Sequence, residues 1–170
     1  LAPEETAGIL RRLNLQPPFI LYPANFWPHK NHRLLLVAFG MLRARRPDLA
    51  LRLVFTGALP EAGRELHDAA DTMGLAAHLH LLGYLPDRDL AAVFQGCRLV
   101  VFPSLYEGFG MPLLEAMHFG KPVACSDVTS LPEVAGDAAL YFDPRRPQSI
   151  VDALVRLLEE PGLADSLVER

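Results

Sequence analysis

Two glutamates separated by seven residues enclose a glycine-rich segment in the second half of the chain. They are Glu107 and Glu115, and Gly108 and Gly110 lie between them. Glycine lets the backbone bend sharply and approach a ligand closely, and carboxylates accept hydrogen bonds from sugar hydroxyl groups. The spacing therefore predicts a turn that contacts a ligand through its backbone, with an acid on each side to bind hydroxyl groups. The alternative explanation for both glutamates is that acids near a helix N-terminus stabilise the helix by about 0.3–1 kcal/mol.

The same segment predicts a phosphate site. Pro112 suits the first position of a helix, where its missing N–H group would be unpaired anyway. The backbone N–H groups of Phe109, Gly110 and Met111 would then point out of the helix N-terminus, which attracts anions. Lys30, in a loop far earlier in the chain, could add a mobile positive charge for a diphosphate. Residue type alone, however, favours a solvated surface lysine at that position.

Short apolar runs alternate with amphipathic helical patterns along the chain. This alternation predicts an α/β fold, a Rossmann-like doubly wound parallel sheet of about six strands with helices on both faces. Ligands bind such sheets beyond the carboxyl ends of the strands, so Lys30, after the first strand, and Glu107, after the fourth, should lie at the same rim. The predicted strands are 19–22, 51–55, 78–82, 100–102, 122–126 and 139–142, and the main predicted helices are 32–46, 60–73, 87–95, 112–119 and 148–159.

Composition excludes several classes of protein. The chain has 170 residues, 51% hydrophobic and 21% charged, which is typical of a globular domain with a substantial core. A net charge of −4 argues against a nucleic-acid partner or an anionic membrane surface, and no apolar run approaches the roughly 18–20 residues of a membrane helix. Cys97 and Cys125 lack the spacing of metal ligands and are predicted to be packing residues. The histidines are equally scattered, so no metal site is predicted.

Five blocks of sequence carry a family resemblance. The central block is Glu107–Gly110 followed by Glu115, an EGFG…E pattern. In order and spacing, the blocks resemble the C-terminal half of retaining glycosyltransferases of the GT-B fold, in glycosyltransferase group 1 (family 4). The resemblance covers about residues 18–160 and is far more specific than a lone glycine motif. The other blocks are Pro28–Asn31, Pro122–Ser126, Leu131–Gly136 and Ala139–Pro144.

The resemblance implies an enzyme divided between two domains. Residues 1–18 would form a short helix in an interdomain connection, and residues 19–170 would form the domain that binds the nucleotide-sugar. An N-terminal domain, absent from this sequence, would bind the acceptor, a glycan or a lipid-linked sugar. The full-length protein would be a hexosyltransferase of the mannose or glucose type, such as a mannosyltransferase of polysaccharide biosynthesis, and this domain alone would be inactive. The implied location is the cytoplasm, with the inner face of the membrane within reach through the missing domain.

The resemblance also implies roles for individual residues. Lys30 would hold the diphosphate, and Glu107 would contact the hydroxyl groups of the transferred sugar, which makes these two the residues implied in catalysis. Glu115 would bind the ribose hydroxyls of the nucleotide. The backbone of Gly108–Met111 would contact the diphosphate or the sugar. The nucleotide would be GDP or UDP; the resemblance implies no cofactor and no required metal.

Three further positions complete the implied site. Tyr84 and Leu85 would form the wall of the base pocket, although a plain turn explains Tyr84 equally well. Asn25 stands where the family often has an arginine that contacts phosphate. Asparagine can hydrogen-bond but carries no charge. The lone Trp27 is predicted either to pack beneath its loop or to face the missing domain.

Two alternatives to a transferase remain open. One is a non-catalytic module that binds a nucleotide-sugar, and the other is a sugar-nucleotide epimerase with the same fold. The intact Glu107, Glu115 and Lys30 argue against a loss of chemistry, whereas Asn25 argues mildly for it. The EGFG…E spacing and the blocks after it favour transfer over epimerisation.

Overall fold

Six parallel strands form the central sheet of the computed structural model, which describes residues 1–58 and 62–170. They are β1 (Phe19–Pro23), β2 (Arg52–Thr56), β3 (Leu79–Leu81), β4 (Leu99–Phe102), β5 (Val123–Ser126) and β6 (Ala139–Phe142). Their order across the sheet is β3-β2-β1-β4-β5-β6. The first three strands extend the sheet in one direction and the last three in the other. The direction reverses between β1 and β4, which is where ligands bind in doubly wound sheets.

Helices connect the strands and cover the sheet. Because crossovers between parallel strands are right-handed, the helices that lead towards β3 and those that lead towards β6 lie on opposite faces. A short 3-10 turn, Pro28–Lys30, follows β1. The helices are α1 (Pro3–Arg12), α2 (His32–Arg45), α3 (Ala62–Thr72), α4 (Asp87–Gly96), α5 (Met111–His118), α6 (Leu131–Ala135), α7 (Pro147–Glu159) and α8 (Leu163–Val168).

The predicted fold class is confirmed. Strands β1, β4 and β5 are buried at every position, because helices cover both faces of the sheet. All strand pairs are parallel, and β1 meets β4 through the pair Leu21 and Val100. The predicted strand ends agree with the structure to within one or two residues. The first residues of the predicted helix 60–73 lie outside the described residues, and the rest of it corresponds to α3.

The helix of the central motif begins one residue earlier than predicted. Helix α5 starts at Met111 rather than at Pro112. Gly110 has a φ of 86°, a conformation that residues with a Cβ rarely adopt, and its carbonyl accepts the N–H of Leu113 at 2.9 Å. Pro112 therefore occupies the second helical position, where a missing N–H group is also harmless.

Helix α1 packs on the same core as the sheet. Ile9 and Leu10 are buried, and the hydroxyl of Thr6 donates to the side-chain oxygen of Gln95, in α4, at 2.6 Å. That residues 1–18 lead to another domain stays a prediction. None of the helices in the described part of the chain is long and apolar enough to cross a membrane.

The two cysteines are packing residues, as predicted. Cys97 and Cys125 are buried and form no disulfide. Burial raises the pKa of each thiol to about 12. Both thiols therefore stay protonated at neutral pH, and thiols in that state are poor nucleophiles.

Candidate functional site

The loops that follow β1 and β4 meet where the strand order reverses. The backbone N–H of Leu105 donates to the carbonyl of His29 at 2.7 Å. The Nδ2 group of Asn31 donates to the carbonyls of Pro103, at 3.0 Å, and Pro144, at 2.8 Å. Asn31 has a φ of 62°, a left-handed conformation that asparagine tolerates better than most residues. This side chain thus joins its own loop to the ends of β4 and β6.

Lys30 and Glu107 form an ion pair across these loops. The Nζ of Lys30 lies 2.7 Å from Oε1 and 2.8 Å from Oε2 of Glu107. Their side chains are only 16% and 10% exposed, so salt and water screen the pair less than a surface pair. The lysine predicted to hold a diphosphate is therefore occupied by the acid predicted to bind sugar hydroxyl groups. A diphosphate that binds Lys30 must share it with Glu107 or displace that carboxylate.

Two buried hydroxyl groups lie behind the ion pair. The Oγ of Ser104 donates to Oε1 of Glu107 at 2.6 Å. The hydroxyl of Tyr22 donates to the backbone carbonyl of Lys30 at 2.9 Å and lies 3.1 Å from Oγ of Ser104. Burial raises the pKa of Tyr22 far above its ordinary value, so its hydroxyl remains protonated.

The backbone of Glu107 is held by the loop between β5 and α6. Its N–H group donates to Oγ1 of Thr129 at 3.1 Å, and its carbonyl accepts the hydroxyl of Ser130 at 3.2 Å. Thr129 has a φ of 54°, which is strained for a β-branched residue. Strained backbone tends to persist where surrounding structure fixes it, often at functional sites. The acid is thus fixed at its side chain and on both sides of its backbone.

The backbone amides of the motif are unused within the described residues. No acceptor there takes the N–H group of Phe109, Gly110 or Met111. The side chains of Phe109 and Met111 are more than half exposed, at 56% and 57%. These amides stand at the N-terminus of α5, whose dipole favours an anion. The free N–H groups that the sequence predicts at the start of this helix are therefore present, and their binding of phosphate stays a prediction.

A cleft of about 470 Å³ opens beside Lys30 at the carboxyl edge of the sheet. It is lined by five of the predicted site residues. The side chain of Leu85 is buried at the cleft wall, whereas Tyr84 is 78% exposed. The five are Asn25, Lys30, Tyr84, Leu85 and Glu115.

Glu107 and Gly108–Met111 are not among the described residues that line this cleft. Glu107 reaches it through Lys30. The carbonyl oxygen of the Asn25 side chain accepts the N–H group of Ala58 at 2.8 Å, so this asparagine braces the loops after β1 and β2. The structure thus divides the predicted site into a cleft and an adjoining motif. The roles assigned to these residues stay predictions.

Sequence reasoning missed the residues that organise this site. The sequence predicts no role in the site for Ser104, Tyr22, Thr129 or Ser130. Asn31 belongs to a block of the family resemblance, which is the one signal that pointed to it. Of the two predictions for the lone tryptophan, packing beneath its loop is wrong, because Trp27 is 61% exposed. In residues 1–58 and 62–170, no group of three His, Cys, Asp or Glu side chains could hold a metal ion.

The two glycines of the motif should differ in their tolerance of alanine. Gly110→Ala should lower the free energy of unfolding by about 1–2 kcal/mol, the cost of a left-handed conformation for an L-residue. The added Cβ would also lie 2.9 Å from Cδ2 of Leu131. A Cβ at Gly108 meets nothing within 4 Å, so Gly108→Ala should change stability by less than about 0.5 kcal/mol. Urea unfolding measures the free energy of unfolding of both variants, and an equal loss of stability in Gly110→Ala and Gly108→Ala would contradict the expectation.

Comparisons with known sequences assign the chain to a family. The model of the family "Glycosyl transferases group 1" matches residues 10–170. O-antigen chain mannosyltransferase B of Escherichia coli is 37% identical over 164 residues, which are 94% of this chain and 42% of that protein. MMP alpha-(1->4)-mannosyltransferase of Mycolicibacterium hassiacum is 36% identical over 137 residues, 79% of this chain and 32% of that protein. The chain thus spans less than half the length of these relatives.

Solved structures agree with this assignment at the level of the fold. Anabaena Alr3699/HepE in complex with UDP and glucose superposes with a TM-score of 0.85 at 20% identity, over 99% of this chain and 46% of that one. WaaG, a glycosyltransferase involved in lipopolysaccharide biosynthesis, gives a TM-score of 0.82 at 17% identity, over 99% and 46% of the two chains. At these identities the likeness shows the fold of the chain. With nearly its whole length matched by the family model, the chain belongs to the glycosyl transferases of group 1 and has the Rossmann-like architecture of a GT-B half.

Proposed function

We propose that this chain binds the nucleotide-diphosphate-sugar of a retaining glycosyltransferase that moves a hexose of the mannose or glucose type to an acceptor sugar or lipid. The observation that carries the proposal is the position of Lys30, which lines the cleft while paired with Glu107 at 2.7 Å. The names of the relatives, which are mannosyltransferases, support a hexose. The UDP in the complex of a structural neighbour supports a nucleotide. Named transferases among the relatives also favour transfer over epimerisation.

The chemistry asked of this chain is to position the sugar and to stabilise the departing diphosphate. Negative charge develops on that group as the glycosidic bond to phosphate breaks, and fixed positive groups lower the barrier. Lys30 and the amides of Phe109, Gly110 and Met111 would supply those groups without a metal ion. A second domain of the same protein would hold the acceptor on the face of the sugar from which the diphosphate leaves, as retention of configuration requires, so we expect no transfer by residues 1–170 alone.

Calorimetric titration tests the proposal directly. The ligands are GDP, UDP, GDP-mannose and UDP-glucose, each titrated into the chain and into Lys30→Ala and Glu115→Ala. Binding to one nucleotide series, weakened by both changes, would support the site. Glu133→Ala and Lys121→Ala are matched controls, because Glu133 is another exposed acid and Lys121 is the second of only two lysines. Binding that survives Lys30→Ala and Glu115→Ala unchanged would place the nucleotide elsewhere.

Removing the charge of Glu107 should tighten the binding of a nucleoside diphosphate that carries no sugar. Both oxygens of the Glu107 carboxylate accept hydrogen bonds from the Nζ of Lys30. The negative charge of this carboxylate also repels a diphosphate. Glu107→Gln should therefore increase affinity for GDP or UDP by about fivefold, or ~1 kcal/mol. The gain should disappear for the nucleotide-sugar, because the variant also loses an acceptor for sugar hydroxyl groups. Weaker binding of the bare diphosphate by Glu107→Gln would show that Glu107 does not compete for Lys30.

A further inference from the structure

Behind the Lys30–Glu107 pair lie two hydroxyl groups whose residues are completely buried, at 0% exposure for both Tyr22 and Ser104. We propose that these are positioning residues: Ser104 fixes the carboxylate of Glu107, and Tyr22 fixes the backbone of Lys30. This inference rests on the proposed function, since it assigns the two residues to the same site. It adds that the site is organised from the core of the sheet outwards.

The available protons support this assignment. A carboxylate and a carbonyl only accept hydrogen bonds. The proton of Ser104 is therefore directed at Oε1 of Glu107, 2.6 Å away, and the proton of Tyr22 at the carbonyl of Lys30, 2.9 Å away. The two hydroxyl oxygens lie 3.1 Å apart, so one of these protons is also shared between them. Each hydroxyl group thus has an acceptor on Lys30 or Glu107 in addition to its contact with the other hydroxyl.

The two residues act on different parts of the site. Ser104 holds the oxygen that would accept from a sugar hydroxyl, and this contact persists when Lys30 turns to a diphosphate. Tyr22 lies in β1 and fixes the main chain from which the lysine side chain extends. Loss of the Ser104 hydroxyl should therefore weaken recognition of the sugar, and loss of the Tyr22 hydroxyl should weaken recognition of the diphosphate.

The chain offers matched control variants for both residues. Ser126 is a serine at 0% exposure in the neighbouring strand, and its Oγ donates to the carbonyl of Phe102 at 3.0 Å. Tyr141 donates from its hydroxyl to the carbonyl of Gly136. Neither contacts the ion pair. Ser126→Ala and Tyr141→Phe therefore remove the same groups as Ser104→Ala and Tyr22→Phe, away from the site.

The first measurement needs no nucleotide. The chain contains only two lysines, Lys30 and Lys121, so a proton–nitrogen correlation spectrum of nitrogen-15-labelled lysine ammonium groups gives one signal for each. Exchange of the Lys30 ammonium protons with water should rise about threefold or more in Ser104→Ala and Tyr22→Phe, as expected when one supporting hydrogen bond is lost. Lys121, which donates to the carbonyls of Gln95 and Cys97, serves as the internal reference. Unchanged exchange at Lys30 in both folded variants would overturn the proposal.

The second measurement separates positioning from a general loss of stability. In the full-length protein, Ser104→Ala should lose about fivefold in affinity for the nucleotide-sugar but keep its affinity for the nucleoside diphosphate. Tyr22→Phe should lose about fivefold for both ligands. A merely structural role would lower both affinities alike in both variants, and that result would contradict the assignment.

The two measurements also distinguish this inference from the proposed function. A faster exchange at Lys30 in the variants, in a protein that binds no nucleotide at all, would uphold the positioning of the pair and refute the nucleotide site. Nucleotide binding that depends on Lys30, together with unchanged exchange in both variants, would uphold the site and refute the positioning residues.

Discussion

Replacing Lys30 with alanine should lower kcat/KM of the proposed transfer reaction in the full-length protein by about 100- to 1,000-fold, the usual loss when one group that stabilises transition-state charge is removed. Among the described residues that line the cleft, Lys30 is the only lysine or arginine. The neighbouring Asn25 carries no charge, and its side-chain oxygen is engaged by the N–H group of Ala58. Under the proposed function, neutralisation of the negative charge of the diphosphate would therefore depend strongly on this lysine. Steady-state kinetics with the preferred nucleotide-sugar measure the loss, with Lys121→Ala as the control.

The same change should also destabilise the fold, and the two effects must be separated. Beside Lys30 the side chain of Glu107 is only 10% exposed, and without the lysine it keeps Ser104 as its one side-chain donor among the described residues. Leaving such a group unpaired costs about 1–3 kcal/mol. The double variant Lys30→Met/Glu107→Gln removes both charges and should regain most of that stability while remaining inactive. Activity within about threefold of the wild type in Lys30→Ala would contradict the role of this residue as the diphosphate cation.

The fold could be predicted because each strand corresponds to a simple pattern in the sequence. Fully covered strands appear as short continuous apolar runs, and the last strand, Ala139–Phe142, was predicted to the residue. The rule that ligands bind at the carboxyl ends of parallel strands placed Lys30 and Glu107 at one rim. The rule identifies an edge of the sheet but not which side chains touch. That Lys30 reaches Glu107, a partner 77 positions away, depends on the conformations of two loops.

The supporting hydroxyl groups were beyond sequence reasoning for a different reason. Serine and tyrosine occur in many environments, so residue type gives no sign that Ser104 and Tyr22 are both at 0% exposure. Their function depends on partners in other elements, Glu107 and Lys30, that become neighbours only in the folded sheet. The start of α5 was missed by one residue because the prediction relied on Pro112, whereas the left-handed Gly110 decides where the helix begins.

A histidine beside this site gives the fold a second testable property. His32 opens α2, is 6% exposed and stacks on Phe26 with 4.2 Å between ring centroids. Its Nε2 has no hydrogen-bond partner in the described part of the chain. Burial lowers the pKa of His32 from 6.5 to about 4, against a hydrogen bond to the backbone of Ala24 that raises it, and the charge of Lys30 lowers it further. The folded protein therefore holds this imidazole neutral.

The free energy of unfolding should consequently fall as the pH drops from 6.5 to about 4. Between pH 6.5 and 4, His32 binds a proton in the unfolded chain but not in the folded chain. Its contribution to the free energy of unfolding is therefore complete above pH 6.5, and acidification to pH 4 removes about 3 kcal/mol of it. His32→Phe keeps an aromatic ring against Phe26 and should flatten the pH dependence by that amount, even if its stability at pH 7 is lower. The pKa values of His78 and His80 are also lowered, chiefly by burial, but both residues remain in the variant and cancel in the difference. Urea unfolding at several pH values measures the slope of the free energy of unfolding against pH, and His67→Phe, at an exposed histidine, is the control. The same slope in His32→Phe as in the wild type would show that burial does not hold His32 neutral.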